Sequence, residues 1–467
     1  MPGDDPPFFD RERELAALGA VWETAGAQLV TLWGRRRVGK STLLARFAGD
    51  TRAVYLYGTR MAESDILAGL SFQAAETFDD AYLRVAPFPN WEAALNYVAA
   101  RARRERLLLI LDEFPYLCDV TRGLDTLVQR WWDTNQHTMQ LALVLAGSAF
   151  SAMEGLTGAT GPLHGRRTAQ LDVQPFDYFD AARFYPQLPP EDRVRAHACF
   201  GGIPAYLRYW SASSGLSEQI QRTVLAPGHF LFREGEEMLR TEFHQVTLYA
   251  SILRAVSAGE ARPSDIARAV GRRSADEIFD HLRRLQELHL LRREVPVTEM
   301  HRPRTQRVLY RLADPYLRFW FRFVSPFQSF LQLGRGSEVW DDEIAPVLDE
   351  FVARTTWEEV CIQHLWRRLG AGVLPARFAQ LGRWWDDADE VDLVGMWQDR
   401  ATVVGECKWT SSPLDLDVLY ALQRKAAKLP FEEPPLWVLA SRSGFRPAVH
   451  RRAEQGDLLL LTPAELY

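Results

Sequence analysis

At 467 residues, 47% of them hydrophobic, 25% charged and 12% aromatic, the chain is long enough for about three domains with separate cores. That composition excludes a mainly disordered or fibrous protein. The longest apolar runs, 107–111 and 141–146, fall short of the ~18 residues that cross a bilayer, and the opening MPGDDPPFFDRERE is acidic rather than signal-like, so a cytoplasmic protein with no membrane partner is expected. The net charge of −6 hides a bias: of 55 basic residues four are lysine (Lys40, Lys408, Lys425, Lys428) and 51 are arginine. Lysines that persist in such a chain mark candidate sites where a compact ammonium is needed. For Lys425 and Lys428, on a predicted helix surface, chance is an equal explanation. The four cysteines show no CxxC spacing, so neither a disulfide framework nor a zinc site is expected.

In chain order, 29–33 reads as a buried strand, followed by Gly34-Arg35-Arg36-Arg37-Val38-Gly39-Lys40-Ser41 and a helix over 42–47. The spacing fits the phosphate-binding loop GxxxxGK(S/T), which chance would place roughly 0.02 times in this chain. In such a loop the glycines let backbone amides converge on a phosphate at a helix N-terminus, Lys40 reaches the β/γ oxygens, and Ser41 offers its hydroxyl to Mg²⁺. Arg37 and Thr42 complete the expected ATP-binding set with Gly34 and Gly39. The apolar run Leu107–Leu111 reads as a strand ending in Asp112-Glu113. Asp112 is the candidate metal anchor and Glu113 the candidate activator of the attacking water. A further strand, 141–146, ends at Gly147-Ser148. Ser148 is a candidate γ-phosphate sensor or simply a turn residue.

Together, FFDRERELAAL, GRRRVGKS, LLLILDEFPYL, LALVLAGS, GPLHGR and GGIPAYL resemble the archaeal-type ATPases of the AAA+/STAND group. The resemblance implies an oligomeric ATPase in which Arg166, with Arg167 as its rival, is an arginine finger acting on a neighbouring subunit. It also places the Gly201–Pro204 turn, with Gly202 and Pro204, near the nucleotide base in a helical lid.

From 245 to 323 the sequence holds 15 arginines against 9 acids, an asymmetry that points to nucleic acid. Predicted helices at 248–257 and 263–270 precede a third opened by the capping-box pattern Ser274-Ala275-Asp276-Glu277. Strands are predicted at 290–295 and 307–312, around Met300-His301-Arg302-Pro303-Arg304. This order predicts a winged helix-turn-helix with a basic wing, which would bind duplex DNA or pack internally as a relay.

After a predicted helix over 350–369, strands 390–394 and 402–409 carry Asp392 and Glu406-Cys407-Lys408, followed by a helix at 414–429. Strand alternation puts Glu406 and Lys408 on one face beside Asp392. This is the PD-(D/E)XK nuclease pattern, in which Asp392 and Glu406 would hold Mg²⁺, or Mn²⁺, against a scissile phosphate, and Lys408 would orient or deprotonate water. The segment also resembles the nuclease-like domain common in this ATPase family, which implies Glu358, with Glu359 as its rival, as a further metal-site acid. Against this, 338–467 holds 22 acids and 14 basic residues, which repel a phosphate backbone.

The expected fold class is therefore α/β multidomain: a P-loop ATPase core (1–175), a helical lid (176–244), a winged helix-turn-helix (245–325) and a PD-(D/E)XK-like α/β domain (326–467). The expected function is an ATP-dependent DNA-processing enzyme. The competing reading is a regulatory ATPase switch that binds DNA or protein without cleaving.

Overall fold

In a computed structural model, which describes residues 8–467 except 50, 149, 159–160, 244 and 303–304, the chain forms two compact units that divide between Pro175 and Phe176. Pro303 and Arg304 of the predicted wing lie outside the described residues. No helix among the described residues is long and apolar enough to cross a membrane.

The first unit is built on a parallel five-stranded sheet of β1 (Gln28–Trp33), β2 (Ala53–Tyr57), β3 (Leu107–Asp112), β4 (Leu141–Gly147) and β5 (Ala169–Asp172), in the order β2-β3-β4-β1-β5. Strands β3 and β4 are buried along their whole length, as expected where helices cover both faces. Period-two alternation sorts their residues into two cores. Leu107, Leu109, Leu111, Leu143 and Leu145 pack on one face, and Leu108, Ile110, Ala142, Val144 and Ala146 on the other. The helices that matter for the site are α1 (Lys40–Ala48), which follows β1, and α2 (Leu124–Asn135), between β3 and β4.

In the second unit, α3 (Val246–Ser257), α4 (Pro263–Ala269) and α5 (Phe279–Glu287) precede an antiparallel ribbon of β6 (Leu291–Glu294) and β7 (Leu309–Leu312). The Ser274/Glu277 capping box forms, but it opens a 3₁₀ turn, Ala275–Ile278, that leads into α5. The single helix expected over 350–369 is instead two, α6 (Leu348–Thr355) and α7 (Trp357–Gly370). The break falls at Thr356, whose φ of −132° is non-helical. Two adjacent β-branched threonines, Thr355 and Thr356, weaken the helix there.

A mixed sheet follows: β8 (Gln380–Trp385), β9 (Glu390–Trp397), β10 (Arg400–Lys408), β11 (Leu436–Ser441) and β12 (Leu458–Leu461), in the order β12-β11-β10-β9-β8. Strands β10, β11 and β12 run parallel, while β9 is antiparallel to β8 and β10. Helix α8 (Leu416–Ala426) packs on this sheet through Leu419 and Leu422. One apolar core runs through the unit, joining Leu207, Leu253, Leu282, Trp320, Trp357 and Val403.

Candidate functional site

The phosphate-binding loop owes its shape to two positions that exclude side chains. A Cβ on Gly34, at φ 151°, would meet the Val173 carbonyl oxygen at 2.4 Å, and Gly39 caps α1 at φ 95°, a region open to glycine at little cost. Arg11 clamps the loop from behind, donating from Nη2 to the carbonyls of Val38 (3.1 Å) and Gln174 (2.9 Å). Lys40 is 5% exposed and donates to the Gly34 and Arg35 carbonyls at 2.8 and 3.2 Å, so its ammonium lies inside the loop. Thr42 is exposed.

At the end of β3, Asp112 is fully buried. Its Oδ2 accepts from the Ser41 hydroxyl (2.6 Å) and the Tyr55 phenol (2.7 Å), and its Oδ1 from the Glu113 amide (2.9 Å). Burial, then the Asp112 charge, pushes the Tyr55 phenol well above its ordinary pKa. Tyr55 therefore stays a donor that fixes the carboxylate. A hydroxyl and a carboxylate 2.6 Å apart at the mouth of the loop are a suitable donor set for Mg²⁺, a cation that takes oxygen ligands and keeps several waters. Glu113 adopts φ 51° and Ser148 holds it: the Ser148 hydroxyl and amide donate to Oε2 at 2.9 and 3.2 Å. Arg166 makes a two-pronged pair with Asp133 of α2 at 2.6 and 2.8 Å, while Arg167 contacts Thr157 and Gln170.

In the second unit, Gly202 is fixed by its surroundings, since a Cβ there would fall 1.8 Å from the Phe176 oxygen, and Pro204 starts a short helix, Pro204–Leu207.

The second charged cluster lies on the C-terminal sheet. The register of β9 against β10, Leu393 opposite Gly405, sets Asp392 level with Glu406 on one face. Lys408 Nζ donates to Glu406 at 2.6 Å and lies 3.8 Å from Asp392. Asp392 also accepts from the Cys407 amide at 2.8 Å. Burial, followed by the Glu406 charge, pushes the Asp392 carboxyl up to about 6. Burial and then Asp392 push Glu358 up as well. Burial opposes the Lys408 charge, but Asp392 and Glu406 outweigh it and raise its pKa, so Lys408 is held as an ammonium. Glu359 points elsewhere, onto Arg292 and Arg318 at 2.7 Å each. There burial pushes the carboxyl up but the two guanidiniums prevail, bringing it to about 2. Among the described residues no three His, Cys, Asp or Glu side chains form a ready-made metal cage. Asp392 and Glu406 form a carboxylate pair, to which substrate oxygens and water could add.

Sequence reasoning missed three members of these sites. Lys425, from α8, donates to both oxygens of Glu406 at 3.1 and 3.3 Å, and its one signal was the scarcity of lysine. Tyr55 carried no signal, because a tyrosine in a strand is unremarkable until the fold brings it in; Arg11 lies in the FFDRERELAAL segment, but nothing there marks it as a clamp of the loop.

Residues 8–209 match the family described as an ATPase domain predominantly from Archaea, and residues 320–427 the one described as archaea bacterial proteins of unknown function. An uncharacterized protein of Methanocaldococcus jannaschii is 27% identical over 410 residues, covering 86% of this chain and 87% of that one. The Walker-type ATPase of Pyrococcus abyssi is similar in structure, with a TM-score of 0.53, 22% identity and coverage of 68% of this chain and 96% of that one. The ORC2 protein of Aeropyrum pernix gives a TM-score of 0.42, 15% identity and coverage of 72% and 97%. With the loop, Ser41, Asp112 and Glu113 in one site on a parallel sheet, residues 8–209 have a P-loop ATPase fold and match an ATPase domain found predominantly in Archaea.

Proposed function

We propose that the chain is an ATP-dependent DNA-processing enzyme, in which ATP turnover governs a DNA-binding module and a metal-dependent cleavage centre. In the ATPase step Lys40 binds the β/γ-phosphates, and Glu113, positioned by Ser148, takes the proton of the attacking water. Magnesium, held by Ser41 and Asp112, would supply charge neutralisation at the phosphates. Arg166 acts on the nucleotide of a neighbouring copy in a homo-oligomer, and Gly202 and Pro204 of a lid (176–244) are assigned to nucleotide binding by the family resemblance.

The three helices and ribbon of 245–325 are read as a winged helix-turn-helix that binds duplex DNA. Its helix arginines support this as phosphate contacts: among the described residues Arg283 and Arg284 pair with acids of their own helix, Asp280 and Glu287, and the exposed Arg283–Asp280 pair is of little worth and displaceable by a phosphate.

One observation carries the cleavage reading: Asp392, Glu406 and Lys408 converge on one face of two paired strands, with Lys425 joining from α8. In a PD-(D/E)XK-like domain (326–467), Asp392 and Glu406 would hold Mg²⁺ or Mn²⁺, which supplies Lewis acidity at the scissile phosphate, with Glu358 beside them. Lys408 and Lys425, as ammoniums, orient water and offset developing phosphate charge. The test is incubation with plasmid and linear DNA, with Mg²⁺ or Mn²⁺, with and without ATP. Cleavage should be lost in Asp392→Ala and Glu406→Ala while ATPase activity persists. A second reading, a switch that binds without cleaving, is favoured by the double lysine clasp on Glu406, two ammoniums that offset the carboxylate charge from within the protein. It takes over if the unmodified protein cuts nothing under any of these conditions.

A further inference from the structure

Beyond the acid–lysine cluster, the second unit encloses two adjoining cavities of about 450 and 290 Å³ that share Arg311, Arg354, Thr355, Glu358 and Arg383. Their walls come from the β6–β7 ribbon, α6, α7 and β8. Together the linings hold seven arginines against four glutamates, so positive charge is in excess. Glu294 alone faces three guanidiniums: Arg292 at 2.6 Å, Arg311 at 2.9 Å and Arg383 at 3.6 Å.

Within this cluster the ion pairs are poorly aligned, and Glu294 Oε2 as well as several guanidinium N–H groups lacks a hydrogen bond among the described residues. Arg383, 12% exposed, meets three carboxylates, Glu358 through Nε at 3.0 Å, Glu294 through Nη1 at 3.6 Å and Glu390 through Nη2, yet its Nε and Nη1, and the Nε of Arg311, are buried without an aligned hydrogen bond. Buried donors in this state call for a further acceptor, and guanidinium forks match phosphate oxygens. At the rims, Arg293 and Arg322 are exposed and make no ion pair among the described residues. The walls are also aromatic: Phe323 and Phe351 line the larger cavity and Trp385 the smaller. Aromatic faces of this kind stack on bases. The volumes suit a small ligand and not a duplex.

We propose that this double cavity binds one phosphorylated nucleotide unit, with the phosphate on Arg311 and Arg383 and the base against the aromatic wall. Two sources offer that chemistry, the phosphorylated end of a single strand or a free nucleotide. The strand-end source rests on the DNA-processing reading.

The test uses the full chain saturated with ADP and Mg²⁺, so that the P-loop is filled. Binding is measured for single-stranded DNA octamers carrying a 5′-phosphate, a 3′-phosphate or no terminal phosphate, and for dAMP. A preference of about tenfold or more for one phosphorylated octamer supports the strand-end source; tight dAMP binding without that preference supports the free nucleotide. Arg293→Ala and Arg322→Ala, together, should weaken the favoured probe at least about fivefold with an unchanged melting temperature, and Arg383→Gln should abolish its binding. Equal affinity for all three octamers together with no dAMP binding overturns the proposal, as does binding indifferent to all three substitutions. A chain that prefers phosphorylated ends yet cuts no DNA keeps this inference and rejects cleavage. One that cuts DNA but ignores both terminal phosphates and dAMP does the reverse.

Discussion

Replacing Asp392 by asparagine should stabilise the metal-free protein, and the size of the effect follows from the carboxylate cluster. Asp392 is 7% exposed, and its carboxyl rises from the ordinary 3.8 to about 6 through burial and the charge of Glu406. A group whose folded-state pKa is raised holds its proton more tightly when folded, so stability is lost as pH rises through the folded value. At roughly 1 kcal/mol or slightly more per pKa unit, the ionised group costs the folded state on the order of a few kcal/mol at pH 7.5 and roughly half of that at pH 5. Asparagine is nearly isosteric, and its carbonyl can still accept from the Cys407 amide. Urea unfolding of the second unit's transition should therefore show Asp392→Asn to be more stable than the parent at pH 7.5, with the gain shrinking by about half at pH 5. Millimolar Mg²⁺ should raise the stability of the parent, which retains both carboxylates, more than that of the variant. A variant less stable than the parent by the same amount at both pH values would refute the reasoning, because the carboxylate would then be a satisfied structural group.

Three further outcomes concern the ATPase domain. Lys40→Ala should abolish ATP binding, whereas Glu113→Gln should keep binding and stop turnover; equal loss of affinity in both, measured by calorimetry, contradicts the assigned roles. Ser148→Ala removes one of the two donors that hold Glu113, so kcat should fall about tenfold or more with ATP affinity nearly unchanged; faster turnover would mean that the contact restrains Glu113. Arg166→Ala should lower kcat by about two orders of magnitude or more at high protein concentration, while Asp133→Ala, which frees the same arginine, should not; a turnover rate per chain that is independent of concentration argues against action on a neighbouring copy.

The ATPase half was legible because its signals are local. An apolar strand, two glycines at fixed spacing and a lysine specify one loop, and the carboxylates of Asp112 and Glu113 sit at the end of an equally apolar strand. The Asp392–Glu406–Lys408 juxtaposition was legible for a similar reason, since alternation along paired strands is a two-residue rule. Lys425 was not, because nothing in an amphipathic helix says which sheet residue its lysine will meet. The cavity arginines were hidden by abundance: Arg311 and Arg383 look like any of the other 49 arginines until packing brings both of them onto Glu294. The break at Thr356 was missed because helical periodicity continues on either side, and a pair of β-branched threonines is a weak local signal.

The same arginines bear on how DNA binding and cleavage would communicate. Glu294 ends β6 of the ribbon, and Arg383 of β8 reaches from it to Glu358, which lies beside Asp392. Arg292 and Arg318 meet at Glu359, one residue further along α7. The ribbon and the acid–lysine face are thus tied by neighbouring carboxylates on one helix, within one continuous apolar core. Because a packed core resists small continuous deformation, a displacement of the ribbon on binding nucleic acid cannot be absorbed between the two without breaking ion pairs that hold buried guanidiniums, and breaking such a pair is costly. The ribbon and the site should therefore respond together. On this argument Glu294→Gln, which weakens the tie while leaving Asp392, Glu406 and Lys408 in place, should uncouple DNA affinity from cleavage rate.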